Sequence, residues 1–155
     1  MLDLLLDRGP RPASGDWPRP PGAVEDFLQR CTRCEDCVMA CPHGSIGLLR
    51  DGTPALNPNR VACHLCEDLP CVTSCVDGAL EVVERDLIFF GLARIQTDKC
   101  FVFKGPECGA CKPACPVGAL TLDLTRPVID LETCNGCGLC REACPVWDKA
   151  IVVDL

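Results

Sequence analysis

The chain has 155 residues, a formal charge of −7 and 16 cysteines. That length suits one ordinary domain or two small ones; with aromatics at 5%, no Tyr, 14 Pro and 13 Gly, an apolar core alone cannot stabilise it and metal or covalent staples are expected. The acidic residues are spread and the aromatics are not interleaved with basic ones, so the basic stripe that nucleic-acid binding requires is missing.

From the N-terminus, MLDLLLDRGP carries an apolar patch interrupted by Asp3 and closed by Asp7. No basic residue precedes the patch, and neither a small-residue cleavage site nor twin arginines follow it. A short helical or frayed segment is expected, and with it a cytoplasmic chain. The longest apolar run, 87–93 (LIFFGLA), is far short of the ~18 residues of a membrane span. Direct membrane insertion is therefore not expected, and any attachment comes through a partner. In a cytosolic chain this many cysteines indicate metal before disulfides. Residues 1–26 read as a proline-rich arm (WPRPPG at its end), with Trp17 either wrapping the body or meeting a partner; VEDFLQR reads as a short helix leading into the first cysteines.

Four cysteine runs follow: Cys31, Cys34, Cys37 and Cys41; Cys63, Cys66, Cys71 and Cys75; Cys100, Cys108, Cys111 and Cys115; Cys134, Cys137, Cys140 and Cys144. Together they use all sixteen cysteines. In the first and fourth runs the spacing is x2, x2, x3 followed by Pro. Three thiolates so spaced wrap one [4Fe-4S] cube, while the fourth reaches to a second cube held mainly by another run. Four [4Fe-4S] clusters are expected. Zinc is the rival, but zinc sites combine CxxC pairs distant in sequence and leave no third and fourth cysteine in the same loop.

The runs are separated by 42–62, 76–99 and 116–133, a repeat of roughly 35 to 40 residues. After each run comes a turn and a short apolar stretch, PHGSIGLL, VDGALEVV, PVGALTLD and PVWDKAIVV, each predicted as a strand. PALNPNRVAC, LARIQTDKC and PVIDLETC predict a second strand entering the next run. From each run's second cysteine to its end, one or two helical turns are predicted, stopped by proline where one follows. The predicted fold class is α+β, with two tandem two-cluster modules, each βαββαβ: residues 27–85 and 99–155, joined by a connecting segment, 86–98.

These features resemble the ferredoxin-type iron-sulfur proteins of the NapF/NapG/MauM group. The resemblance runs from Trp17 onward and rests on WPRPPG, VEDFLQRCTRC, the x7 gap of the third run and CNGCGLCREACPV; CHLCEDLPCVTSC is similar to an element of NapG/MauM and of four-cluster oxidoreductase subunits. The missing export signal sides with cytoplasmic NapF. The resemblance implies an electron carrier working with a redox protein partner, a molybdopterin oxidoreductase catalytic subunit among the candidates. Its alternatives are an accessory protein assisting maturation of a periplasmic nitrate reductase-type molybdoenzyme, and a fixed electron-transfer subunit of a larger complex.

Runs one and two, and runs three and four, are expected to pair, because the 42–62 and 116–133 spacers suit a compact module better than 76–99. Cluster 1 then takes Cys31, Cys34, Cys37 and Cys75, and cluster 2 takes Cys63, Cys66, Cys71 and Cys41. Cluster 3 takes Cys100, Cys108, Cys111 and Cys144, and cluster 4 takes Cys134, Cys137, Cys140 and Cys115. A nested pairing, one with four and two with three, is the rival with the same sixteen ligands. Val76 in place of proline after Cys75 keeps a backbone N–H near that cluster. FVFKGPE between Cys100 and Cys108 reads first as a tolerated loop insertion. His43 and His64 read as solvent-facing loop residues before donors to cluster sulfur. Leu87, Ile88, Phe89, Phe90, Leu92 and Ile95 read as packing between halves before a partner surface. Lys99, Lys104, Arg141 and Lys149 read as solvated surface before charge compensation. Once the ligands are spent, no catalytic constellation, phosphate loop or nicotinamide fingerprint remains, so an enzyme is not expected.

Overall fold

The computed structural model describes residues 17–155; the expectation for MLDLLLDRGP and most of the proline-rich arm lie outside the described residues. Secondary structure is short throughout, as expected where turns and cysteine loops dominate. Among the described residues, four helices of one turn or slightly more, α1 (Phe27–Arg30), α2 (Asp36–Ala40), α3 (Pro70–Thr73) and α4 (Leu139–Glu142), accompany six strands: β1 (Ile46–Leu48), β2 (Pro54–Leu56), β3 (Leu92–Ile95), β4 (Leu120–Asp123), β5 (Arg126–Ile129) and β6 (Ile151–Asp154). They form three two-stranded antiparallel sheets, β1–β2, β4–β5 and β3–β6.

The two hairpins arise locally. Between β1 and β2 the turn closes through Gly52, whose φ of 82° lies in the left-handed region, and through Asp51, whose carboxylate accepts the Thr53 N–H at 3.0 Å. Between β4 and β5 the left-handed position falls on Leu124, with φ 56° and its side chain 95% exposed; a leucine there is strained, since Cβ crowds the following carbonyl. The third sheet is not local. β3 lies in the 86–98 segment and pairs with β6, Leu92 opposite Asp154 and Ile95 opposite Ile151, and a bidentate Arg94–Asp154 pair clasps its end at 2.9 and 3.1 Å.

Two predicted elements differ. VDGALEVV forms no strand, only a single antiparallel bridge from Leu80 to Ala23. Its partner segment contains Pro18, Pro20 and Pro21, which donate no ladder hydrogen bonds. The third run forms turns rather than a helix across CGACKPAC: Gly109 and Pro113 both disfavour a helix there, and Lys112 and Cys115 donate only to carbonyls three residues back. One 3-10 turn, Phe101–Phe103, stands in the x7 gap instead.

The described end of the proline-rich arm, from Trp17 on, packs against the body. Leu56 N–H donates to the Pro18 carbonyl at 2.8 Å, Glu81 N–H donates to Gly22, and the Arg19 guanidinium lies 5.7 Å from the Phe27 ring centre. The core is thin and divided. The largest cluster gathers Phe27, Ile46, Leu56, Leu65, Leu69, Val72 and Leu80 around Cys37, Cys63 and Cys71. Ile88 and Phe90 join it, whereas the alternate residues Leu87 and Phe89 point outward. A smaller cluster in the second half joins Ala93, Leu120, Cys140 and Ile151. Among the described residues no helix is long and apolar enough to cross a membrane.

Candidate cluster sites

Cysteines from different runs meet. Cys31, Cys34, Cys37 and Cys75 line one cavity, of about 330 Å³ including its open mouth. Cys41, Cys63, Cys66 and Cys71 line a second of about 320 Å³, and Cys100, Cys108, Cys111 and Cys144 a third of about 400 Å³. In the second half Cys115 and Cys134 pack against the apolar cluster that contains Cys140, and their thiols help raise those of Cys137 and Cys140. These are below called the first to fourth sites.

The short helices explain the convergence. Turns α2, α3 and α4 each carry one buried cysteine on their inner face, Cys37, Cys71 and Cys140. Their N-cap positions, Glu35, Leu69 and Gly138, are all left-handed, so the loop reverses sharply just before each helix and folds the preceding cysteines back over it. Only Gly138 adopts this conformation without strain.

Burial governs the thiols. It pushes the Cys37, Cys63 and Cys140 thiols up to about 12 and Cys71 to about 11, with neighbouring cysteines adding to the rise. Thiolates packed this closely need a cation among them to stay ionised. Cys41 goes the other way: burial raises its thiol, but N–H groups of Ser45, His43 and Ile46 outweigh burial and lower it. Backbone N–H groups also point at sulfur from Ser45 to Cys41 at 3.4 Å, from Ala93 to Cys134 at 3.5 Å and from Ala150 to Cys144 at 3.4 Å.

All-cysteine donor sets, cavities between the sulfurs and N–H groups aimed at them fit an iron-sulfur cube. Among the described residues no three His, Cys, Asp or Glu side chains are arranged to hold a single metal ion.

Several singled-out residues have other partners. His43 and His64 stack at 3.6 Å with their planes 4° apart, at the edge of the second cavity. The FVFKGPE loop folds over the third cavity through Phe101 and Val102, and Arg126 lies 5.3 Å from the Phe103 ring centre. Lys99 pairs with Asp148 at 2.8 Å, and Lys149 caps the carbonyls of Glu142 and Cys144. Arg141 braces the halves, donating to the Asn59 and Ile151 carbonyls. Val76 is 85% exposed.

Sequence reasoning missed the contact between the second and fourth sites. The Cys63 N–H donates to the Cys137 carbonyl at 2.8 Å, and the Phe90 N–H to the Asn135 carbonyl at 2.8 Å. A Cβ on Gly136 would sit 2.3 Å from the Gly91 oxygen, and one on Gly138 2.5 Å from the Pro58 oxygen. The two glycines of CNGCG, legible only as loop residues, let backbone meet backbone.

Cysteine loops, one-turn helices and small antiparallel sheets define a chain built from [4Fe-4S] ferredoxin domains. Two family models agree: a 4Fe-4S dicluster domain matches residues 99–147 and a 4Fe-4S binding domain matches 27–47. The chain belongs to the ferredoxin-type iron-sulfur proteins of the NapF/NapG/MauM group. It is 36% identical over 148 residues to the ferredoxin-type protein NapG of Escherichia coli (strain K12), covering 80% of this chain and 64% of NapG. It is 31% identical over 153 residues to the methylamine utilization ferredoxin-type protein MauM of Methylophilus methylotrophus, covering 85% and 67%. Identity to the ferredoxin-type protein NapF of Escherichia coli (strain K12) is lower, 28% over 138 residues, covering 86% and 82%.

Proposed function

We propose that the chain is an electron-transfer protein that holds four [4Fe-4S] clusters and relays electrons to or from an oxidoreductase partner, with no substrate site of its own. The observation that supports this reading is that cysteines from runs far apart in sequence line three shared cavities, four to each, with Cys115 and Cys134 packed beside the cluster of Cys140. In it Cys31, Cys34, Cys37 and Cys75 hold cluster 1; Cys41, Cys63, Cys66 and Cys71 cluster 2; Cys100, Cys108, Cys111 and Cys144 cluster 3; and Cys115, Cys134, Cys137 and Cys140 cluster 4. When bound, each cluster takes up and releases one electron with all its cysteine ligands retained.

Each half reads as a βαββαβ module whose outer strands come from flanking segments. The order Ala23, α2, β1, β2, α3, Leu80 supports this for the first half. In the second, β3, the Phe101–Phe103 turn, β4, β5, α4 and β6 stand in the same order. Residues 27–85 and 99–155 are then the module bodies, with strand partners drawn from the 1–26 arm and the 86–98 segment. The relay runs first, second, fourth, third site: Cys37 is flanked by Cys71, Cys63 by Cys137, and Cys140 packs in one cluster with Cys111.

The partner is a redox protein, a molybdopterin oxidoreductase subunit being the class the resemblance suggests. Four clusters would lower the formal charge from −7 to about −15, which favours a basic docking face. Reductive titration of the anaerobically loaded chain tests the reading: uptake of about four electrons per chain, and exchange with a partner that slows as salt rises, are expected. A chain that takes up no electrons, yet binds a metal-free partner better than the finished one, would replace this reading with the accessory one.

A further inference from the structure

One buried polar atom in the described residues lies inside a cysteine loop without a partner: Nδ2 of Asn135, in a residue only 5% exposed. Its position is constrained from both sides. The Asn135 Oδ1 accepts the Cys137 N–H at 3.3 Å, and the Asn135 carbonyl accepts the Phe90 N–H at 2.8 Å. With Oδ1 taken by a donor, the amide cannot be turned over, because that would set Nδ2 against the Cys137 N–H. The side chain is therefore held within the run-four loop with an N–H pair that no oxygen or sulfur among the described residues accepts. A buried amide N–H left unpaired is costly, so an acceptor beyond the described protein atoms is called for at that point.

Resting on the four-cluster reading above, we propose that Asn135 donates an Nδ2 hydrogen bond to the sulfur of the cluster held by Cys115, Cys134, Cys137 and Cys140. The residue acts on the cluster directly, through this bond. A donor at sulfur favours the more negative, reduced form, so Asn135 makes the fourth site easier to reduce. The place matters because the Cys63 to Cys137 hydrogen bond joins the fourth site to the second. Asn135 thus biases the step at which electrons pass between the two halves, toward the second half.

The test uses the full chain loaded anaerobically. Wild-type protein is made with asparagine labelled by 15N at the side-chain amide only, and pulsed EPR is recorded on the reduced state. A 15N coupling to one reduced cluster is expected; of the other two asparagines, Asn59 already spends its amide on the Val153 carbonyl, and an Asn57→Gln variant removes the remaining label. Asn135→Leu should lose the coupling and shift one midpoint potential downward, with the other potentials and the iron and sulfide content unchanged. Asn135→Ser, which keeps a donor, should recover part of the shift. No coupling in wild type, together with unchanged potentials in Asn135→Leu, would overturn the proposal and assign the amide to a buried water. If Asn135→Leu does not hold its clusters, the wild-type coupling decides alone. Failure of the four-cluster reading is distinguished beforehand, as iron well below about sixteen per chain in unlabelled wild type.

Discussion

At the scale of single residues, Gly138 shows how the cysteine loops depend on backbone approach. Its φ is 88° and an added Cβ would lie 2.5 Å from the Pro58 oxygen. Gly138→Ala should cost about 1–3 kcal/mol through backbone strain, with part of the iron lost, measured as thermal midpoint and iron content of the loaded chain. Leu124 presents the opposite case, a leucine held at φ 56° on an exposed turn. Leu124→Gly should stabilise by about 1 kcal/mol, read as a raised thermal midpoint at unchanged iron. Neither position announced itself. CNGCG reads as part of a cysteine loop, and DLTR lacks the Asn-Gly or Asp-Gly signature of a two-residue hairpin turn. The cysteine runs stand out in the sequence because thiolate spacing is set by a cluster's dimensions, whereas Asn135 is indistinguishable in sequence from any turn asparagine.

Among elements, β6 is the one most dependent on distant partners. Asn59 holds it as a strand would: its amide donates to the Val153 carbonyl at 2.7 Å and accepts the Val153 N–H at 2.8 Å. Asn59→Ala leaves both groups of a buried residue unpaired and should cost about 1–3 kcal/mol, seen as faster hydrogen exchange at the Val153 amide. On the other strand Arg94 holds the Asp154 carboxyl below its usual value. The folded pKa is the depressed one, so this contribution is present above the ordinary carboxylate value of about 4 and is lost as pH falls through the folded value. Wild type and Arg94→Gln should therefore differ in thermal midpoint at neutral pH and converge in acid. The hairpins β1–β2 and β4–β5 were readable from apolar stretches flanking turn residues. The β3–β6 pairing was not, because two strands separated by more than fifty residues leave no local signal of each other. The missing helix of the third run was present in the sequence as Gly109 and Pro113, but repetition of the cysteine spacing outweighed them.

For the molecule as a whole, the iron-sulfur groups take the place of a core. The buried residues fall into separate clusters, each containing cysteines, so removing iron removes the centre around which each is packed. Chelation under oxidising conditions should abolish cooperative unfolding and most tertiary signal, whereas a protein with an independent apolar core would keep both. Repeat length and run spacing made the domain class and family legible from sequence. How the halves meet was not, since backbone contacts of Cys63, Gly91 and Pro58, which follow no side-chain pattern, join them alongside the side chains of Arg141 and Asn59. The most direct test is the iron, acid-labile sulfide and zinc content of anaerobically purified chain, with the EPR spectrum of its dithionite-reduced form. About sixteen irons and sixteen sulfides per chain, with mutually coupled reduced-cluster signals, are predicted. Folded protein rich in zinc and poor in sulfide would contradict the account.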